Sequence, residues 1–151
     1  MSDKRLTLEE ARALVRRPLA RCSTSAEDAA SVAKALVAAE ADGLKGHGLS
    51  RLPSYAAQAK VGKVDGFATP TVARPRPALV FGRCRARLAY PALDAACNVL
   101  ADAVQSQGMA VAAIRHSHHC GAAGHAVEAL AGAGLMMLFF ANTPAAIAPW
   151  G

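Results

Sequence analysis

The sequence predicts an α/β protein in which an N-terminal three-helix region precedes part of a mixed sheet with flanking helices. Apolar residues recur at helical spacing through the first sixty residues. Short apolar runs that suit buried strands follow, and stretches of helical spacing lie between them. We place the boundary so that residues 1–66 form the helical region and residues 67–151 form an incomplete α/β region.

The first helix is predicted from its start signal. Thr7 and Glu10 have the spacing of a capping box, in which each side chain bonds the backbone N–H of the other residue. Four apolar residues follow at helical spacing: Ala11, Leu14, Val15 and Leu19.

Two further helices complete the N-terminal region. Ser25 and Asp28 repeat the capping pattern more weakly, and the helix after them should end near residue 42. A third helix is predicted from Pro53, because proline is favoured in a first turn, to a stop at Gly62.

The second half alternates strand and helix signals. We expect strands at Ala78–Phe81, Met109–Ile114 and Leu135–Ala141, and helices at Pro91–Gln107 and Gly121–Gly132. The order strand, helix, strand from residue 109 to residue 141 predicts a βαβ unit, with antiparallel pairing as the alternative.

Composition limits the class of protein. A chain of 151 residues with 53% hydrophobic residues suits one packed domain, and no apolar run is long enough to cross a membrane. The net charge is +6, and no acidic residue lies between Asp65 and Asp94. The arginines in this interval are Arg74, Arg76, Arg83, Arg85 and Arg87. Since stacking aromatics and a recognition-helix pattern are missing, we expect a solvated face or a partner-binding surface, not a nucleic-acid site.

The cysteines and the two ends of the chain indicate the cellular compartment and whether the sequence is complete. The four cysteines form no CxxC pair, and the polar start has no signal-peptide pattern. We therefore expect a cytoplasmic protein with free thiols. A sheet of two or three strands is a poor stopping point, so the chain is interpreted as the first part of a longer protein.

Residues 115–125, RHSHHCGAAGH, hold four of the five histidines. They follow a predicted strand and open a predicted helix, a position where α/β proteins bind ligands. Three interpretations stay open at this point: an acid–base or anion site, a metal site, or structural histidines. The metal interpretation would use His116, His118, His119, Cys120 and His125, but adjacent loop residues point in opposite directions and no common zinc motif is present.

The fifth histidine, His47, lies between two glycines, with Arg51 four residues later. If a helical turn begins here, both side chains lie on one face. Arginine can hold a carboxylate through two parallel hydrogen bonds while histidine protonates a neighbouring oxygen. The alternative is a flexible loop with a surface arginine. The chain has no dinucleotide or P-loop fingerprint, so its spacing alone does not indicate nucleotide binding.

Four segments together resemble the malate/L-lactate dehydrogenase family of the non-Rossmann type, which includes ureidoglycolate and sulfolactate dehydrogenases and diketogulonate reductases. The segments are GHGLSRLPSY, LAYPALDAA, RHSHHCGAAGHAVEALAGAGL and ANTPAAIAPWG. The resemblance implies hydride transfer between NAD or NADP and a small 2-hydroxy or 2-oxo acid, in a cytoplasmic homodimer. It also implies that residues 67–151 belong to the cofactor-binding region, that no metal is needed, and that neither nucleic acid nor a membrane is a partner.

The resemblance assigns roles to individual residues. His47 and His119 match the family's candidates for proton transfer, and Arg51 matches an arginine that holds the substrate carboxylate. Asn142, Thr143 and Pro144 match a loop that lies against the cofactor. Gly121 joins them as a cofactor-binding candidate, because its lack of a Cβ lets a ligand approach the backbone at the start of the predicted helix.

The chain departs from the family pattern in three ways. Gly46 replaces the usual serine, Gly82–Arg87 replaces a stretch that usually carries aspartate and glycine, and family members are about twice as long. Two alternatives therefore remain for this chain: a non-catalytic remnant that dimerises or binds a partner, and a small metal-binding protein.

Overall fold

The computed structural model describes residues 5–142, without the side chains of residues 85–87. These residues form five α-helices, a short 3₁₀ turn at Leu49–Arg51 and three strands. The elements, in chain order, are α1 (Leu8–Ala20), α2 (Ala26–Ala41), α3 (Leu52–Lys60), β1 (Thr71–Arg76), β2 (Leu79–Arg87), α4 (Ala89–Gln107), β3 (Val111–Ser117) and α5 (Ala123–Gly132). The predicted class is confirmed: a helical region precedes a small sheet with flanking helices.

Both predicted helix starts are present. The Thr7 side chain accepts a hydrogen bond from the Glu10 backbone N–H at 3.2 Å, and the Glu10 carboxylate accepts one from the Thr7 N–H at 2.8 Å. Ser25 accepts from the Asp28 N–H at 3.1 Å and opens α2. Leu14, predicted on the apolar face of α1, is 52% exposed, because the buried stripe of that helix consists of Ala11, Val15 and Leu19.

The sheet is mixed, as predicted. Its strand order is β1-β2-β3, with β1 antiparallel to β2 and β2 parallel to β3. The parallel pair is joined by α4, which packs against both strands. A βαβ unit is therefore present, but it consists of β2, α4 and β3, whereas the unit predicted for residues 109–141 lacks its second strand among the described residues.

The prediction of a buried strand at Leu135–Ala141 is wrong. Residues 135–142 have no regular secondary structure, and Met136, Leu138 and Phe140 are 95%, 78% and 86% exposed. Exposed and half-buried residues still alternate along the segment, as in an extended chain. No strand among the described residues pairs with it, and a strand is stable only when a neighbour takes up its backbone hydrogen bonds.

The core lies between the helical region and α4. Its fully buried side chains come from α1, α2 and the segment that enters α4: Val15, Leu19, Val32, Leu36 and Leu88. Tyr55 of α3 and Tyr90 of α4 belong to the same cluster. The core therefore places α3 beside the first turn of α4, and this contact positions the candidate site. No described helix has the length and apolar character that crossing a membrane would require.

Candidate active site

The histidine loop connects the carboxyl end of β3 to α5. His116, near the end of β3, has a φ of +54° and Gly121 a φ of +72°, so both adopt the left-handed backbone region. A Cβ at Gly121 would lie 2.5 Å from the Tyr90 hydroxyl oxygen. Glycine is therefore required here for both its φ and its lack of a side chain.

His47 lies in the connection between α2 and the 3₁₀ turn. Its backbone N–H donates to the Leu44 carbonyl at 2.8 Å. The Glu40 carboxylate accepts from the Leu49 N–H at 2.9 Å, and a Cβ at Gly48 would lie 3.0 Å from the Glu40 Cα. These contacts fix the connection against the end of α2, so His47 is not on a flexible loop.

The structure brings His47 and His119 together. Their rings stack with centroids 5.7 Å apart and an interplanar angle of 13°. Arg51 belongs to the same cluster, because its positive charge contributes to lowering the pKa of His119. The Arg51 Nε donates to the Gly46 carbonyl at 2.6 Å, which leaves the terminal guanidinium nitrogens for other acceptors.

Two tyrosines that the sequence analysis did not single out complete the cluster. The Tyr55 hydroxyl lies 2.9 Å from His119 Nδ1 and 3.2 Å from the Tyr90 hydroxyl. The Gly121 N–H donates to the same His119 Nδ1 at 3.1 Å. The spacing from Arg51 to Tyr55, four residues across a helix start, is the signal that could have placed Tyr55 on the same face.

Burial and neighbouring charges keep His118 and His119 neutral near pH 7. Partial burial lowers the pKa of His119 from 6.5, and the charges of Arg51 and His47 lower it further. Burial also lowers the pKa of His118, with smaller contributions from His119 and Lys63. Since both shifts disfavour the imidazolium, the rings carry one proton each at neutral pH.

The tyrosines stay protonated for the same reason. Burial raises the pKa of Tyr55 and, more strongly, that of Tyr90. The two hydroxyls are therefore hydrogen-bond donors throughout the physiological pH range.

His118, in the loop, and His125, in the first turn of α5, have partners outside this cluster. His118 Nε2 lies 2.8 Å from the Gln58 Oε1, and His125 Nε2 lies 2.9 Å from the Asp42 carboxylate. Within residues 5–142, no three histidine, cysteine or acidic side chains are grouped so that they could hold a metal ion.

The residues predicted to contact a cofactor are placed only in part. Gly121 lies two residues before α5, and Asn142 is exposed at the end of the described chain. Thr143 and Pro144 lie outside the described residues. Helix α5 begins at Ala123 without a side-chain cap, so backbone N–H groups of its first turn are free of a capping side chain.

Comparison with known proteins identifies the family. The sequence pattern of the malate/L-lactate dehydrogenase family matches residues 6–151. The chain therefore belongs to this family.

Two characterised relatives illustrate the similarity. The (2R)-3-sulfolactate dehydrogenase (NADP(+)) of Chromohalobacter salexigens is 40% identical over 149 residues, which are 99% of this chain and 44% of that protein. The Δ1-pyrroline-2-carboxylate/Δ1-piperideine-2-carboxylate reductase of Pseudomonas syringae pv. tomato is 38% identical over 138 residues, 91% of this chain and 40% of the relative. The chain thus spans less than half the length of either relative.

Two solved structures of dehydrogenases and reductases have a fold similar to that of this chain. The crystal structure of Δ1-piperideine-2-carboxylate reductase from Pseudomonas syringae matches with a TM-score of 0.84 and 36% identity, covering 87% of this chain and 40% of that structure. Sulfolactate dehydrogenase from Methanocaldococcus jannaschii matches with a TM-score of 0.76 and 25% identity, covering 82% and 36%. The arrangement of helices and strands is therefore that of the first part of these enzymes.

Proposed function

We propose that the protein to which this chain belongs transfers a hydride between NAD or NADP and a small acid with a C–O or C–N bond next to its carboxylate. The observation that carries the proposal is the stacked pair His47 and His119 with Arg51 in the same cluster. Family membership supports the class of reaction. The names of the relatives support the substrate class, because sulfolactate and pyrroline-2-carboxylate both have a carboxylate beside the reacting carbon.

Each residue of the cluster suits one requirement of the reaction. Reduction of a carbonyl or imine needs a proton on the heteroatom, and an imidazole can transfer it near neutral pH. His47 and His119 are the candidates for this transfer. Arg51 would hold the substrate carboxylate through its free terminal nitrogens, which fixes the reacting carbon relative to the two rings.

The first turn of α5 fits a nicotinamide dinucleotide. Among the described residues no side chain caps its N-terminus, and such a terminus favours a phosphate through its first N–H groups and the helix dipole. Gly121, two residues before this helix, is a candidate cofactor contact, and the family resemblance adds Asn142, Thr143 and Pro144 within a cofactor-binding region of residues 67–151. When bound there, the cofactor supplies the hydride. We also propose that the enzyme works in the cytoplasm as a homodimer.

Turnover and binding assays test the proposal. The purified chain is mixed with NADH or NADPH and pyruvate, oxaloacetate, 3-sulfopyruvate or Δ1-pyrroline-2-carboxylate, and cofactor oxidation is followed by absorbance. In parallel, the same acids and their reduced forms are titrated against the isotope-labelled chain, and the histidine ring signals are recorded. We expect oxidation of one cofactor, or shifts of the His47 and His119 signals that saturate.

Variants assign the roles. Arg51→Lys loses the two-pronged contact with the carboxylate and should reduce kcat/KM or affinity about ten- to 150-fold, the equivalent of about 1.5–3 kcal/mol. His47→Asn should abolish turnover. Arg16→Lys is the matched control, because Arg16 pairs with Glu9 on α1, outside the cluster, and this change should leave both readouts unchanged. If none of the acids causes either turnover or saturable shifts, the proposed substrate class is wrong.

A further inference from the structure

The backbone N–H of Gly121 determines which nitrogen of His119 carries the proton. It lies 3.1 Å from Nδ1 and points at it. A backbone amide can only donate, so Nδ1 must accept and cannot carry a proton. The neutral ring therefore holds its proton on Nε2.

The direction of the neighbouring hydrogen bonds follows. Since Nδ1 has no proton, the Tyr55 hydroxyl at 2.9 Å donates to it. That uses the only proton of Tyr55, so its oxygen accepts from the Tyr90 hydroxyl at 3.2 Å. The chain of donors thus runs from Tyr90 to Tyr55 to His119.

We propose that Tyr55 and Tyr90 are positioning residues that hold His119 as the neutral Nε2–H ring, so that it offers a bound acid an N–H and not a lone pair. The catalytic meaning of this inference rests on the proposed function. Among the described residues His119 Nε2 has no hydrogen-bond partner, so this N–H is available to a ligand. A neutral imidazole that donates a hydrogen bond polarises a carbonyl or imine without first being charged.

The opposite direction of these hydrogen bonds, from His119 to Tyr55 to Tyr90, is unfavourable. It would aim an Nδ1–H at the Gly121 N–H, and the Tyr90 proton would then need an acceptor that the described residues do not provide. Tyr55 and Tyr90 are only 2% and 7% exposed, so bulk water does not compensate. Around the ring, the titratable and charged groups among the described residues are His47, Arg51, Tyr55, Lys63, Tyr90, His118 and Cys120. None of them is a carboxylate, so no carboxylate in this set stabilises an imidazolium.

Nitrogen NMR of the isotope-labelled chain tests the inference without turnover. At pH 8 we expect His119 Nδ1 to resonate as a pyridine-type nitrogen and Nε2 as a pyrrole-type nitrogen. Tyr55→Phe removes one of two donors, so the Nδ1 signal should move further toward that of a free pyridine-type nitrogen. Tyr90→Phe should move it less in the same direction, because Tyr90 only polarises the Tyr55 hydroxyl.

Gln58→Met is the control: it removes the partner of His118 and should leave the His119 nitrogens unchanged. A protonated Nδ1 in the unmodified chain, or a Tyr55→Phe variant with an unmoved Nδ1 signal, would overturn the inference. If Tyr55→Phe does not fold, Tyr90→Phe decides, since an unmoved Nδ1 signal there also contradicts the donor chain. Because the spectra need no substrate, a missing dehydrogenase activity would not affect this result.

Discussion

Replacing Gly121 by alanine tests the packing of the histidine loop on α4. Gly121 has a φ of +72°, and its new Cβ would lie 2.5 Å from the Tyr90 hydroxyl oxygen and 2.9 Å from Tyr90 Cε1. The left-handed backbone costs a residue with a side chain about 1–2 kcal/mol. Moving a buried ring away from an added methyl group costs about 1–3 kcal/mol more. We therefore expect Gly121→Ala to lower the free energy of unfolding by about 2–5 kcal/mol.

Two other glycines separate these contributions. Gly108 has a φ of +73° with no atom within 4 Å of the added Cβ, so Gly108→Ala should show the backbone cost alone, about 1–2 kcal/mol. Gly124 lies within α5, has ordinary φ and equally open space, so Gly124→Ala should stabilise the protein by about 0.5–1 kcal/mol.

Urea unfolding followed by far-UV circular dichroism measures all three variants against the original chain. From most to least stable, we expect the order Gly124→Ala, the original chain, Gly108→Ala and Gly121→Ala. If Gly121→Ala proves as stable as Gly108→Ala, the loop does not pack against Tyr90 as described, and the reasoning about that contact is refuted.

Three further predictions concern the core, the pH dependence and a buried thiol. Leu36 is fully buried, so Leu36→Ala should lower the free energy of unfolding, measured in urea, by about 2–5 kcal/mol. Leu138 is 78% exposed, so Leu138→Ala should change it by at most about 0.5 kcal/mol. Equal effects of the two variants would contradict the assignment of the core. The folded-state pKa values of His118 and His119 lie below 6.5, so the unfolded chain binds more protons between those values and pH 6.5. Stability should therefore fall as the pH is lowered through this window. In a variant with both histidines changed to asparagine, the urea midpoint should depend less on pH over the same window. An unchanged dependence would show that other groups cause the loss of stability. Burial raises the pKa of Cys84 to about 11, so a thiol reagent at pH 8 should modify Cys84 only in denaturant, and mass spectrometry showing rapid labelling of the folded chain would contradict its burial.

The helices could be predicted from the sequence because their signals are local. Thr7 with Glu10 and Ser25 with Asp28 are caps within one turn, and the structure forms both. Strand β2 was predicted to stop at Phe81 but continues to Arg87. The information for this was present, since buried Val80, Gly82 and Cys84 alternate with exposed Phe81 and Arg83. An exposed phenylalanine and a buried glycine obscured the alternation.

The strand predicted at Leu135–Ala141 could not be decided locally. An apolar run indicates that a segment will be buried, but it does not supply the neighbouring strand that must take up its hydrogen bonds. The described residues contain no strand paired with it, and the side chains of Met136, Leu138 and Phe140 remain exposed.

The candidate site was predictable in its histidines and arginine, because the family resemblance pointed to those positions. Tyr55 and Tyr90 were missed, since their contact depends on tertiary structure that brings a side chain of α3 against one of α4, and no spacing along the chain reveals it. The same packing determines that His118 and His125 turn to separate partners, which a cluster of four histidines in the sequence does not reveal.

The histidine loop is held by residues from distant parts of the chain. His118 bonds a partner 60 positions away, His119 one 64 positions away and His125 one 83 positions away, on α3 and at the end of α2. Joining such remote segments requires large loops to close, and an unfolded chain cannot meet that entropic cost for one isolated contact. The three imidazoles therefore reach these partners only after the helical region has packed against the sheet. During folding, the native NMR signals of the three rings should appear together and late.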